Sequence, residues 1–257
     1  MARRKDNRMQ LFSSWTGSDF LLFYIMLLVL CTCTACWIPA HLRAAGRRGE
    51  SPDAEDLAML TGGRATHTDS VIADLYARGG LEDSGKGTLG VTDPGLPASP
   101  AGRALLGLRE AFSRGEAEDL LAAHAIRAAA RLRRQGMMLR PDQLNRLRWL
   151  SIAPFGALFA LGIYRQRAGS TLGEPTGFLV ALLVLTVALA VIRWVRFDRR
   201  TNAGIEAVKD LRANASHLRS APPAGEAAMA VALFGTGVLV GTPWEPVHAL
   251  RHKASRT

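Results

Sequence analysis

The sequence predicts a mostly α-helical membrane protein with three transmembrane helices and a small helical, winged-helix-like cytoplasmic region. Three observations carry this prediction. Residues 20–38, 149–164 and 175–192 contain no charged side chain, and aromatic residues stand at several ends of these runs. A helix needs about 20 apolar residues to cross the hydrocarbon core, and tryptophan and tyrosine are typical of the membrane interface. The polar sequence between and after the runs has helical periodicity.

The first predicted transmembrane helix covers residues 18–39 and follows a basic N-terminal segment, residues 1–17. Its apolar core lies between Trp15 and Trp37, which both suit an interfacial position. We expect Pro39 to end this helix, because proline has no N–H group for the helical hydrogen bond.

The second and third apolar runs predict a helical hairpin in the membrane. Residues 149–164 are short for a span, but Arg148 and Arg165 flank them and can extend their charged ends toward the interface. A short loop with glycine and proline, residues 165–176, joins this helix to the third predicted transmembrane helix, residues 177–195. The second and third spans are therefore expected to run antiparallel.

Three spans put residues 40–148 and the tail, residues 196–257, on the same side of the membrane. Basic residues near the membrane are more numerous on that side, with Arg43, Arg47, Arg48, Arg140, Arg146, Arg148, Arg193, Arg196, Arg199 and Arg200 against Arg3, Arg4, Lys5, Arg8, Arg165 and Arg167. The positive-inside rule therefore favours a cytoplasmic middle region and tail. Within the tail, residues 201–219 predict an amphipathic helix. The apolar segment 227–240 is short for a span and predicts a buried or surface-lying helix.

Residues 40–148 are predicted to form the helical region between the first two spans. Ser51 is expected to cap its first helix, with Pro52 in the first helical position. Gly62-Gly63 is expected to end that helix, and a second helix follows at about residues 69–78.

A Gly/Pro-rich loop, residues 82–100, follows the second helix. Leu81 and residues 89–91 are apolar and flank a Ser-Gly-Lys-Gly turn, which indicates a small β-hairpin at the start of the loop. Residues 101–113 and 116–135 predict two further helices. Two helices in this region end in the pattern L-x-x-R/Q-G followed by an apolar residue, which is the outline of a winged-helix unit.

The chain is basic, with 32 Lys and Arg against 22 Asp and Glu and a formal net charge of +10. Much of the excess lies beside the apolar runs, where juxtamembrane arginine is its simplest explanation. Arg127, Arg131 and Arg134 form a separate stripe on the helix at 116–135 and are the candidate contact for an anionic partner. Nucleic acid or lipid headgroups would fit such a stripe, and a solvated basic face is the alternative.

Several motifs resemble reactive or ligand-binding sites but depart from them. Residues 80–87 approach a P-loop, yet Gly87 stands where Ser or Thr should follow Lys86, so a turn is the simpler interpretation. Cys33 and Cys36 form a C-x-x-C pair inside the first span, where close helix packing competes with redox, metal or lipid-attachment roles. The histidines lack metal-binding spacing, and the apolar runs lack the ionisable residues typical of a transporter. The sequence therefore predicts no catalytic, cofactor-binding or metal-binding residue.

Short motifs spread over most of the chain carry a family resemblance. They are GSDFLLFY at 17–24, AMLTGGR at 58–64, the segment 75–81, RTNAG at 200–204 and AVALFG at 230–235. In these motifs the chain resembles a family of bacterial multi-pass membrane proteins without an assigned activity, some of which end in Gly/Cys-rich tails. The resemblance implies a bacterial plasma (inner) membrane location and this architecture, and it transfers no site residue. The chain departs from those members by lacking the Gly/Cys-rich tail.

These observations favour a non-enzymatic interaction or scaffold role in the membrane. The expected partners are the lipid bilayer and other membrane proteins, and no small-molecule ligand or cofactor is indicated. One alternative is a membrane-tethered nucleic-acid-binding protein, which the arginine stripe and the winged-helix outline motivate. A second alternative is an enzyme whose site is split between residues 40–148 and the tail.

Overall fold

The computed structural model describes residues 17–47, 51–85, 87–171, 177–220 and 222–254. It is mostly helical, as predicted, and divides into two units. The membrane unit comprises Met1–Arg43 and Arg140–Arg199, and the polar unit comprises Ala44–Leu139 and Arg200–Thr257. In chain order the elements are α1 (Gly17–Leu42), α2 (Ala54–Ala77), β1 (Leu81–Gly85), β2 (Thr88–Val91), α3 (Pro100–Leu106), β3 (Phe112–Ser113), α4 (Arg114–Leu120), α5 (Ala122–Arg134), α6 (Pro141–Thr171), α7 (Gly177–Val195), α8 (Asn202–Asn214), α9 (Ala227–Phe234) and α10 (Glu245–Ala254).

Helices α1, α6 and α7 are long and apolar enough to cross a membrane, which confirms the three predicted apolar helices. Helix α6 is longer than the predicted span, because it begins at Pro141 and continues to Thr171. Proline is tolerated in a first helical turn, and α6 also continues through Pro154. The predicted loop at 165–176 is therefore helical as far as Thr171. Its last residues, and the basic N-terminal segment before Gly17, lie outside the described residues.

Pro39 does not end α1, which continues to Leu42. Because Pro39 has no N–H group, the carbonyl of Ala35 one turn earlier loses its helical donor. Nε of Arg193 on α7 donates to that carbonyl at 3.2 Å. The expectation that Pro39 stops the helix was wrong because a side chain of another helix replaces the missing donor.

The three helices of the membrane unit pack around one apolar cluster. Its buried members are Phe20, Tyr24, Leu28, Ala35, Phe155, Leu158, Leu179 and Leu183. The hydroxyls of Tyr24 and Thr186 are hydrogen-bonded at 3.0 Å, which pairs two polar groups between α1 and α7. Gly162 allows close approach, because a Cβ atom there would lie 2.6 Å from Cδ2 of Leu183. Arg165 is buried, and its guanidinium lies 5.7 Å from the centre of the Phe20 ring near the start of α1.

Helix α2 is the central helix of the polar unit and bends at Gly63. The backbone there has φ 71° and ψ −153°, a conformation that glycine adopts readily, so the glycine stop separates two helical halves as predicted. The N-cap is Asp53 rather than Ser51, and its carboxylate accepts a hydrogen bond from the N–H of Asp56 at 2.7 Å. An aspartate is as good a cap as serine, and its charge also suits the positive end of the helix dipole.

The predicted hairpin is present as β1 and β2, which pair antiparallel with Leu81 opposite Val91. The sequence did not predict β3, where Phe112 pairs with Leu89 to complete a sheet in the order β1-β2-β3. Leu81, Leu89 and Phe112 are all buried in one apolar cluster. The predicted helix at 101–113 was therefore wrong at its end, because α3 stops before Gly107 and Phe112 gains more from burial against the sheet.

Two other predicted helices are shorter than expected. The helix at 116–135 is divided at Leu121 into α4 and α5. The tail helix at 201–219 ends at Asn214, and a 3-10 turn at Ser216–Arg219 follows it. Element types were thus predictable, while their ends depend on local capping.

Helix α9 lies in the core of the polar unit and packs mainly against α2. At about 12 Å, it is far shorter than a bilayer, so the segment 227–240 forms a buried helix and a 3-10 turn. The last carbonyls of a helix accept no hydrogen bond from within the helix, so side chains donate to them instead. Thr61 donates to the carbonyl of Ala232 at 2.6 Å, and Arg212 donates to that of Leu233 at 2.9 Å.

Three chain segments that adjoin the membrane helices meet within the polar unit. The N–H of Ala203, in the first turn of α8, donates to the carbonyl of Ala45, just after α1, at 2.8 Å. The N–H of Thr201 donates to the carbonyl of Met137, just before α6, at 3.0 Å. Residues 44–139 and the tail form one unit, so both lie on the same side of any membrane that the three helices cross.

Candidate interaction surface

Arg131, the middle residue of the predicted arginine stripe, is engaged within the polar unit. Its Nη2 lies 2.6 Å from Oδ1 of Asp56, and its Nε lies 3.1 Å from Oδ2, so the pair is bidentate. The Asp56 side chain is only 6% exposed. The hydrogen bond with Asp56 raises the pKa of Arg131. Arg131 therefore joins α5 to α2 and neutralises a buried carboxylate, a role that the stripe did not predict.

Arg127 and Arg134 lie on the exposed side of α5. Two large apolar side chains accompany them, since Ile126 is 62% exposed and Leu120 at the end of α4 is 41% exposed. Arg127 Nε donates to the carbonyl of Ala123 one turn earlier at 3.3 Å, which directs this side chain along the helix. We call Leu120, Ile126, Arg127 and Arg134 the α5 surface. It combines apolar area with positive charge, which is typical of sites that contact proteins.

The opposite side of α5 is packed against the core, which keeps the α5 surface in position. Ala125, Ala128, Ala129 and Leu132 are buried in a cluster with α2 and α9. His124, beside Arg127, has a lowered pKa because of partial burial and the nearby positive charge of Arg127. A neutral His124 leaves the arginines as the positive charges of this surface.

A second polar cluster lies inside the unit and joins its two chain segments. Asp69 on α2 is buried, and its carboxylate oxygens accept from Nε of Arg114 at 2.6 Å and from Nη1 of Arg251 at 2.9 Å. Arg114 also lies 3.3 Å from Glu118. Both oxygens of Asp69 therefore have cationic donors from elements far apart in the chain. This arrangement stabilises the fold and leaves the carboxylate without access to a substrate.

His67 and Glu55 form the only other pair that could suggest acid–base chemistry among the described residues of α2. Nε2 of His67 lies 3.6 Å from Oε2 of Glu55, a long electrostatic contact. Burial alone would raise the pKa of Glu55, but interactions with His67 and Ser99 outweigh it and lower the pKa. The His67 side chain is fully buried. A general base must reach a substrate proton, so this buried ring is placed poorly for catalysis in the described conformation.

The reactive-looking sequence motifs do not assemble into a site. Within the described ranges no group of three or more His, Cys, Asp or Glu side chains could hold a metal ion. Most of the P-loop-like segment forms β1, which pairs antiparallel with β2, whereas a P-loop joins a strand to a helix. Lys86 itself lies outside the described residues.

The cysteines of α1 divide into one packed and two exposed side chains. Sγ of Cys31 lies 3.5 Å from the carbonyl of Pro154 on α6, as expected for close helix packing. Cys33 and Cys36 are exposed, so packing within this chain does not explain them. Nδ1 of His248 on α10 lies 3.1 Å from the hydroxyl of Thr236.

Fold and surface together define a mostly helical protein that has three helices long and apolar enough for a membrane and one compact polar unit. No protein-family model matches the sequence, and no curated protein or solved structure is significantly similar to it. The family resemblance of the short motifs therefore stays a prediction. Any functional argument must therefore start from the α5 surface and the internal ion pairs of this chain.

Proposed function

We propose that the chain is a non-enzymatic interaction protein of the bacterial plasma membrane, anchored by α1, α6 and α7, with the polar unit in the cytoplasm. The observation that carries this proposal is the α5 surface, where Ile126 and Leu120 are exposed beside Arg127 and Arg134. The partner that fits it is a protein with an acidic surface around an apolar depression, because such a surface would pair both kinds of side chain.

The distribution of polar groups also supports an interaction role. Asp56 and Asp69 are buried and paired with arginine, and His67 is enclosed. A catalytic site would need such groups beside an opening. The proposal therefore gives the interaction role preference over an enzyme site split between the middle region and the tail.

A photoreactive amino acid at position 126 of the full-length chain tests the partner contact in cells. We expect one discrete protein adduct, weakened by Arg127→Glu and Arg134→Glu because like charges would then oppose an acidic partner. Arg109→Glu is the matched control, since Arg109 is exposed in a loop before β3. The same amino acid at exposed Thr92 should not give this adduct. Equal adducts at both positions, or lipid adducts alone at position 126, would contradict the proposal.

The cytoplasmic orientation has its own test. A single cysteine at exposed position 100, in a chain whose three native cysteines are replaced, is treated with a membrane-impermeant thiol reagent. Labelling only after lysis is the expected result. Labelling of intact cells would place the polar unit outside and remove cytoplasmic partners.

Nucleic-acid binding is the second candidate, favoured by the succession of the second half of α2 and the β1–β2 hairpin. This succession is like the recognition helix and wing of a winged-helix domain. In this chain, however, Thr66 to Ala73 are all buried, so this half of α2 presents few side chains to a groove. Salt-sensitive DNA binding by the purified full-length chain, lost in Arg127→Glu, would favour this candidate over a protein partner.

A further inference from the structure

An apolar groove runs along the outside of α6 and α7 in the membrane unit. Its volume is about 410 Å³, within the range of ligand sites. Trp149 and Trp194 lie at one end, and Gly156, Phe159 and Val191 contribute to its walls. All its lining residues belong to α6 and α7. Because both helices lie in the apolar part of the chain, lipid is the medium that meets this groove.

The groove is open at Gly156, where the helix lacks a side chain. A Cβ atom built at Gly156 would meet no heavy atom within 4 Å. At Gly162 on the same helix, by contrast, a Cβ atom would lie 2.6 Å from Leu183. Gly162 therefore serves close helix packing, while Gly156 leaves space that the protein does not fill.

Positive charge lies at the tryptophan end of the groove. The guanidinium of Arg148 lies 5.4 Å from the centre of the Trp194 ring, and Trp149 and Trp194 contact each other edge to face at 5.4 Å. A guanidinium at this end of an apolar groove favours an anionic group beside it.

Arg148 is the cation beside the apolar groove. Arginine binds phosphate oxygens well because several of its N–H groups point in one plane. Its charge beside two tryptophans at the end of an apolar groove fits a phosphate group at a membrane interface.

We propose that this groove binds one anionic glycerophospholipid of the bilayer, with an acyl chain against Gly156 and the phosphate at Arg148. The apolar walls match the chain, and the tryptophans mark the interfacial depth at which a headgroup begins. Basic pockets beside transmembrane helices bind acidic headgroups by this combination of forces. The site is independent of the partner of the α5 surface.

Quenching of tryptophan fluorescence by brominated acyl chains tests the site in the full-length chain. Trp149 and Trp194 are retained, the other three tryptophans are replaced by phenylalanine, and the protein is placed in vesicles of phosphatidylcholine. Brominated phosphatidylglycerol or brominated phosphatidylcholine is then titrated in. We expect phosphatidylglycerol to be preferred about fivefold, the equivalent of about 1 kcal/mol at room temperature.

Three variants separate the proposed site from a diffuse surface charge. Arg148→Gln should remove most of the preference, whereas Arg146→Gln, which removes an exposed charge two residues away, should leave it. Gly156→Leu should fill the groove and reduce quenching by both lipids. Equal binding of the two lipids, or equal losses in Arg146→Gln and Arg148→Gln, would overturn the proposal. So would a detergent-solubilised dimer that Gly156→Leu converts to monomer, because a second copy would then occupy the groove.

Discussion

The Asp69 cluster gives the sharpest stability prediction. Asp69→Asn keeps the shape of the side chain but removes its charge, so the Arg114 guanidinium loses its main counter-ion. Although burial alone would lower the pKa of Arg114, the hydrogen bond with Asp69 raises it. Asparagine also has only one acceptor oxygen, and its amide N–H groups would face one of the two arginines.

The expected cost follows from the burial of the partners. The Asp69 and Arg114 side chains are 2% and 12% exposed, and breaking a buried ion pair on one side costs about 3–5 kcal/mol. Because Glu118 still lies 3.3 Å from Arg114, we expect the lower end, about 3 kcal/mol. Arg251 is 39% exposed, so Arg251→Gln should cost only about 0.2–1 kcal/mol.

Trp244 reports on this unit, because it packs against the apolar cluster that includes Val247 and Leu250. Its fluorescence in a full-length chain without other tryptophans would follow denaturant unfolding in detergent. The midpoint should fall far more in Asp69→Asn than in Arg251→Gln. If the two variants lost the same stability, the pair of Asp69 with Arg114 would not be the stabilising contact, and the reasoning from burial would be refuted.

Three further predictions concern pH and helix packing. The pKa of Glu55 is lower in the folded chain than in the unfolded chain, where it is about 4.3, so the ionised side chain stabilises the fold above that pH. The free energy of unfolding should therefore fall as the pH drops through the folded pKa of Glu55. Glu55→Gln should weaken this pH dependence in denaturation measurements. Gly162→Ala should lower the thermal stability of the membrane unit in detergent, whereas Gly156→Ala should not, and equal effects would refute the close-packing argument. Arg193→Leu should destabilise the chain by about 1 kcal/mol, and less so in a Pro39→Ala background, where a helical N–H can serve the Ala35 carbonyl; a double-mutant cycle without coupling would contradict this.

The sequence was sufficient where one segment determines its own structure. Long apolar runs predicted α1, α6 and α7, and the glycines at 62–63 predicted the end of a helical segment. Contacts between distant segments were not predictable. Asp56 lies 75 residues from Arg131, and Asp69 lies 182 residues from Arg251, so neither pair has a local signal.

The candidate site was predicted in part for the same reason. Helical periodicity placed Arg127, Arg131 and Arg134 on one stripe, but it could not show that Arg131 reaches Asp56 while Ile126 is exposed. Phe112 was assigned to a helix because its strand partner, Leu89, lies far back in the sequence. The groove beside Gly156 was missed because a glycine in an apolar run indicates packing and open space equally well.

The position of α9 in the sequence fixes when the polar unit can finish folding. Helix α2 is synthesised early, yet the helix that covers its buried polar side chains comes only after α6 and α7. The hydroxyls of Thr61 and Ser70 donate to carbonyls of α9, and Asp69 accepts from Arg251 near the end of the described chain. None of these hydrogen bonds can form until those residues have been synthesised. During synthesis the first segment must therefore remain incomplete while α6 and α7 are made. If a membrane accepted only one of these two helices, α9 would lie across it from α2, and the polar unit could not be completed.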